Sequence, residues 1–238
     1  VHAALESRRR VKEQQKKCLK TEFRNTHFSC SMGEDGVEKF VAVPELHSED
    51  QIDADPLPPG QVWGISPGST ESGPSLYRIE VTVGPGSGVK VLNHPVPPAF
   101  RESVRYAEQN LYTRGKELVG DRDPRSHEFS VQLRAMDNDK TGASIGLPVL
   151  ISLCSGLLER SLKGGLVLLG ALNLGGSVDP VTNAVAAVEL AVEKGAATLL
   201  MPISARKQLF ELSDDMATKI NIQFYADSQD ALFKALVE

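Results

Sequence analysis

From about Val181 to Lys194 almost every side chain is small and apolar: Ala184, Val185, Ala186, Ala187, Val188, Leu190, Ala191 and Val192. A helix that is apolar nearly all round must be buried on most sides, so the chain has to fold other layers around this stretch. Its flanks punctuate it. Pro180 stands where a helix can start without losing a hydrogen bond, and Gly195 is placed as a C-cap. Apolar runs suited to core strands lie on both sides, at Leu166–Leu169, Ala171–Leu174 and Ala197–Met201. A helix over Ser204–Leu212, a strand over Ile220–Tyr225 and a closing helix over Ser228–Val237 complete the C-terminal part.

The preceding part has the same mixture. Tyr77, Ile79, Val81 and Val83 alternate with Arg78, Glu80 and Thr82, the period-2 pattern of a half-buried strand. Gln61–Ser66 is its expected partner. Val89–Leu92 and Glu128–Leu133 read as further strands. Phe100, Val104, Ala107, Leu111 and Leu118 give a helix between Pro98 and Val119. The fold class expected is therefore α+β, mixed strands and helices in one large domain over 57–238.

Two smaller pieces precede it. Leu5–Leu19 reads as a helix poor in apolar residues, and we assign 1–22 as the tail of an upstream helical module. Residues 23–56 read as a β hairpin turning at Met32–Gly36, followed by a connector that runs into Pro56-Leu57-Pro58-Pro59. The first residue is Val1, which fits a fragment or a processed chain.

Charge and cysteines narrow the function classes. The net charge of −5 argues against a generally basic, nucleic-acid-coating surface. Arg8, Arg9, Arg10, Lys12, Lys16, Lys17 and Lys20 nevertheless concentrate positive charge in the first 20 residues, an arm suited to an acidic partner, either a nucleic acid such as DNA or another face of the same assembly. Cys18, Cys30 and Cys154 have neither disulfide-frame nor metal-site spacing and fit free thiols in a reducing cytoplasm. No apolar run approaches the length needed to span a bilayer. The Gly84–Gly88 loop lacks the GK[ST] ending of a phosphate-binding loop, so no nucleotide or metal cofactor is expected in this chain.

The chemistry-bearing stretch is Asp139-Lys140-Thr141-Gly142-Ala143-Ser144-Ile145-Gly146, which runs directly into the apolar segment Leu147–Leu158. It places a hydroxyl at the mouth of a helix. There Ser144 is either a nucleophile facing backbone N–H groups that stabilise an oxyanion, or simply the helix cap. Pro148 removes the N–H that would bond the Ser144 carbonyl, and a reshaped helix start is expected. His2, His27, His47, His94 and His127 are scattered and form no base for this serine.

From about Leu57 to its end the chain resembles the proteolytic domain of the Lon family of ATP-dependent proteases. The resemblance rests on Pro59-Gly60-Gln61-Val62-Trp63-Gly64, on Leu76–Glu80 followed by Gly84-Pro85-Gly86, on Arg101-Glu102-Ser103-Val104, and on Gly170–Pro180. The loop Asp139–Gly146 is similar to the family's nucleophile loop, PKDGPSAG, keeping Lys140, Gly142, Ser144 and Gly146. The resemblance implies a Ser–Lys dyad whose lysine is neutral in an apolar pocket. The position it implies for that lysine is Ala187. The threonine that holds the lysine falls on Leu169, and the acidic residue three before the serine on Thr141. Lys194, Lys163 and Lys140 are the candidates for a relocated base.

Ser7–Gln14, Glu22-Phe23, Phe28-Ser29 and Glu38–Glu45 are similar to the joining segment of Lon-like proteins from bacterial bacteriophage-exclusion (BREX) systems. That resemblance implies the C-terminal part of a AAA+ protein, with ATP and magnesium bound by an upstream ATPase module only. It also implies a homo-oligomeric ring, DNA engaged through the full-length protein, and other BREX proteins as partners. The expected role is a proteolytically degenerate domain supporting ring assembly, with Ser144 kept as a cap. The alternative is an ATP-dependent serine peptidase using Ser144 and a relocated base.

Overall fold

The computed structural model describes residues 27–32, 38–43, 51–68, 73–136 and 141–237. The helical arm, the basic cluster at 8–20 and Lys140 lie outside the described residues. The chain divides into two compact units, Val1–Glu49 and Asp50–Glu238. In the first, β1 (His27–Met32) and β2 (Glu38–Val43) pair antiparallel, as the glycine-flanked turn predicts.

The second unit is built on one mixed seven-stranded sheet. Its strands are β3 (Gln61–Ser66), β4 (Ser75–Pro85), β5 (Gly88–Val91), β6 (His127–Ala135), β7 (Leu166–Leu169), β8 (Thr198–Pro202) and β9 (Asn221–Tyr225), in the order β5-β6-β4-β3-β7-β8-β9. The β6-β4-β3 part is antiparallel, whereas β3, β7, β8 and β9 run parallel. That division follows from the connections. Parallel neighbours need long crossovers; β7–β8 and β8–β9 have them, and so does the other parallel pair, β5–β6, which is joined through Pro98–Val119. The β7 residues are all buried, the continuous apolar run of a strand covered on both faces.

Helices α1 (Pro98–Val119), α2 (Gly146–Leu158) and α4 (Ser228–Ala235) pack together on one face. Gly64 and Gly156 locate α2 on that face. A methyl group at Gly64 would lie 2.9 Å from Pro148, and one at Gly156 would lie 3.0 Å from Val83. By strand alternation Tyr77, Ile79, Val81, Phe129, Val131 and Leu133 share this face. The opposite face carries α3 (Ala184–Glu193) over β3 and β4. Beyond it the sheet becomes polar, with Glu80 bridging Arg78 at 3.2 Å and Arg134 at 3.7 Å.

Four local readings are corrected. Ala171–Leu174 is not a strand: only Leu172 bridges, to Val178, while Asn173 accepts from Ser177 N–H and donates to Asp179, folding the segment into a turn. The helix expected from Val181 starts at Ala184. Gln208 accepts from Ala184 N–H and donates to Val181 O, which fixes the start beyond Pro180. Ile203–Glu211 is a 3-10 helix. Pro148 leaves the helix start in order, because it sits in the first turn, where N–H groups have no intrahelical partner, and the first backbone bond, Val149 N to Ile145 O, is 3.1 Å.

Candidate functional site

The serine loop lies at the C-terminal end of β7, held at both ends. Upstream, Gly142 is buried with φ 59°, its N–H donating to Tyr77 Oη at 3.3 Å and its carbonyl accepting from Ser103 Oγ at 3.5 Å. No side chain fits there: a methyl group would meet Leu133 at 2.7 Å and Phe100 at 2.9 Å. Downstream, Leu147 N–H donates to Gly170 O at 3.2 Å, tying the first turn of α2 to the end of β7. Gly146 eases that approach, since a methyl would lie a tight 3.2 Å from Leu172 N.

Between these anchors Ser144 is exposed, with φ 56°. A serine in the left-handed region is uncommon and stores local strain. Ser144 does not cap α2. The N-cap position is Ile145, and no side chain makes a capping hydrogen bond there. The capping role is therefore corrected: the hydroxyl stands one residue outside the helix and bonds to no described residue.

The helix mouth is a weakened oxyanion site. A helix opens with four N–H groups free of intrahelical partners. Here Pro148 has none and Leu147 spends its own on Gly170 O, which leaves those of Ile145 and Gly146.

No base reaches the serine among the described residues. Ala187 lies in the first turn of α3 and is fully buried. Leu169 is fully buried too. By alternation from Trp63↔Val167, Leu169 points to the sheet face that α3 covers. The positions that the resemblance assigns to a lysine and its threonine partner are thus both apolar and fully buried. Thr141 is exposed.

The substitute lysines are misplaced. Lys163 follows the far end of α2, roughly 20 Å from its start at the usual rise, and donates to Lys234 O at 2.8 Å. Lys194 closes α3 at the other edge of the sheet. Its carbonyl accepts from Ile52 N–H, and the chain just beyond it, at Ala197 N–H, bonds Gly165 O before β7. From Gly165 to Gly170 is about 16 Å of extended chain, beyond the reach of a lysine side chain. His94 is exposed, and His127 is held at the start of β6 by Asp123 O at 2.9 Å.

Two buried phenols hold this site that the sequence reading did not single out. Tyr77 anchors Gly142, and Tyr225 Oη donates to Leu169 O at 2.8 Å. Tyr225 fills the space beside Gly170, where a methyl would lie 2.1 Å from its oxygen. Burial pushes the Tyr225 phenol well above its ordinary pKa, so it stays a neutral donor. The signal was available in part: a tyrosine on the inward phase of an alternating strand needs a partner for its hydroxyl. Among the described residues no group of His, Cys, Asp or Glu side chains could hold a metal ion. No helix there is long and apolar enough to cross a membrane.

Comparison with known proteins agrees with this architecture. The model of the Lon protease (S16) C-terminal proteolytic domain matches residues 31–238. The chain is 33% identical to the Lon-like protease BrxL of Escherichia coli O9:H4 (strain HS), over 98% of this chain and 34% of the relative. It is 28% identical to the Lon-like protease BrxL of Bacillus cereus (strain H3081.97), with the same coverage. The Lon protease of Lawsonia intracellularis (strain PHE/MN1-00) is 27% identical over 85% of this chain and 24% of its own length. The chain thus spans about a third of the BrxL relatives. With its mixed sheet, its serine loop at the mouth of α2 and a matched region reaching the C-terminus, the chain belongs to the family of Lon protease C-terminal proteolytic domains.

Proposed function

We propose that this Lon-type domain is proteolytically silent and supports assembly of a ring of subunits whose ATPase module engages DNA in phage defence. The observation that carries the reading is the fully buried, apolar Ala187, packed on the sheet face that also receives Leu169. A serine hydroxyl is a weak nucleophile without a base within about 3 Å, and Lys163 and Lys194 stand at the far end of β7 from the serine loop. The names of the BrxL relatives support the phage-defence setting, and their greater length leaves room for an upstream ATPase. In this reading ATP and magnesium belong to that module. On the same reading the positive charge of Arg8–Lys20 supplies contacts to DNA.

The alternative, an active serine peptidase, draws on the exposure and positive φ of Ser144, which present the hydroxyl as a nucleophile would be presented, and on the word protease in the relatives' names. Casein and fluorogenic-peptide hydrolysis by the full-length protein with ATP and magnesium separates the two. We expect no hydrolysis above that of Ser144→Ala. Turnover that Ser144→Ala abolishes would establish the peptidase.

A further inference from the structure

The segment after β8 carries the periodicity of one kind of helix and the geometry of another. Ala205, Gln208, Leu209 and Leu212 stand at i, i+3, i+4 and i+7, and all four are buried or half-buried. That spacing is the inward stripe of an α-helix. Lys207 and Glu211 are four residues apart, the separation at which an α-helix pairs opposite charges. Ile203–Glu211 is nevertheless a 3-10 helix of nine residues, whereas 3-10 runs beyond three or four residues are uncommon. Lys207 and Glu211 are both exposed, and they make no ion pair with each other among the described residues.

Gln208 ties the segment to its 3-10 form. Residues three apart in a 3-10 helix lie one above the other, so Gln208 stands in line with the fully buried Ala205. From there its amide oxygen accepts from Ala184 N–H at 2.9 Å and its amide nitrogen donates to Val181 O. The first bond serves as the N-cap of α3, since Asn183 makes no side-chain capping bond there. In an α-helix three residues turn about 60° less and rise about 4.5 Å instead of about 6 Å. Gln208 would then point away from α3, and both bonds would break. The α form of nine residues is also about 4.5 Å shorter. The short helix Asp214–Ala217 just beyond has no buried residue to stop it from following. On the outer side Ile203 and Phe210, 57% and 88% exposed, lie about 120° apart around a 3-10 helix but share one face of an α-helix.

We infer that Ile203–Glu211 is a two-state strap that couples an exposed surface to the start of α3. In one state it is a 3-10 helix, Gln208 caps α3, and Ile203 and Phe210 lie on separate faces. In the other it is α-helical, Lys207 meets Glu211, Ile203 and Phe210 share a face, and Ala184 N–H loses its acceptor. The turn so loosened is the one that carries the fully buried Ala187. Coupling of this kind is reciprocal. Breaking the Gln208 bonds favours the α form, and favouring the α form by a change on the exposed side loosens the start of α3.

The test is NMR of the 238-residue chain and of two variants, Gln208→Ala and Ile203→Glu. Contacts between Hα of residue i and the amide proton of i+2 mark the 3-10 form, and those to i+4 mark the α form. Gln208→Ala removes both bonds. Ile203→Glu keeps them and sets a glutamate four residues before Lys207, an arrangement that favours the α form about twofold. The parent should show i+2 contacts across the segment. Gln208→Ala should replace them with i+4 contacts and speed amide exchange at Ala184 roughly fivefold, the loss of one capping bond. Ile203→Glu should speed the same exchange about twofold with Gln208 intact. Its altered side chain is exposed, so it tests the coupling even where Gln208→Ala fails to fold. A Gln208→Ala segment that keeps its i+2 contacts, or that shows neither pattern, would reject the strap. Unchanged exchange at Ala184 in Ile203→Glu would reject the coupling and leave Gln208 an ordinary cap.

Discussion

Placing a lysine back at Ala187 measures what has become of the dyad pocket. Ala187 is fully buried in the first turn of α3, and no described acid stands ready to pair with an amine there. A lysine at this site has to enter neutral. Holding it neutral at pH 7 against an ordinary pKa of about 10.4 costs about 4–5 kcal/mol. The added methylenes in a packed layer cost about 1–3 kcal/mol more. The sum is comparable with the whole stability of a typical domain, about 5–15 kcal/mol. The folded-state pKa is depressed, so the unfolded state binds more protons and the stability of Ala187→Lys rises with pH. Between pH 7 and pH 9 the deficit relative to the parent should shrink by about 2–3 kcal/mol. Urea unfolding of parent and variant at both pH values gives the numbers. A deficit below about 1 kcal/mol with no pH dependence would refute the reasoning, since it would mean that a solvated, amine-ready pocket survives beside Ser144.

Tyr225→Phe leaves the buried Leu169 carbonyl without its donor and should cost about 1–3 kcal/mol in chemical denaturation. Gly170→Ala should cost more in the parent than in Tyr225→Phe, because the 2.1 Å clash is with the phenolic oxygen; equal costs in both backgrounds would place the clash elsewhere. Asp230 is partly desolvated, which opposes ionisation, but the hydrogen bonds from Lys234 and Ala226 N–H prevail and its pKa is lowered. Its contribution is therefore present above the ordinary aspartate range and lost as pH falls through the folded value, and Asp230→Asn should flatten that acid limb of the stability profile. Cys154 is fully buried and its thiol pKa is raised by desolvation, so a maleimide should label it only on unfolding; fast labelling of the folded protein would contradict the packing of α2.

Much of the fold was legible because the patterns are local. Alternation over Tyr77–Val83 located β4, and β3 spans Gln61–Ser66 as read. The buried run Leu166–Leu169 is β7 as read. Gly195, with φ 79°, ends α3 as its position suggested. What escaped depends on partners remote in sequence. The start of α3 is set by Gln208, the turn after Leu172 by Asn173 and Asp179, and the anchoring of the serine loop by Tyr77. The place of Ser144 outside the helix escaped for a different reason. A serine before an apolar run reads as a cap, and only the backbone angles move the cap to Ile145.

Ser144 is presented with no base beside it among the described residues, and the lack of nucleophilic reactivity that this entails is directly measurable. It is tested most directly by incubating the folded protein with a fluorophosphonate and measuring its intact mass. No adduct above that of Ser144→Ala is expected. A single stoichiometric adduct on Ser144, absent from the alanine variant, would contradict it.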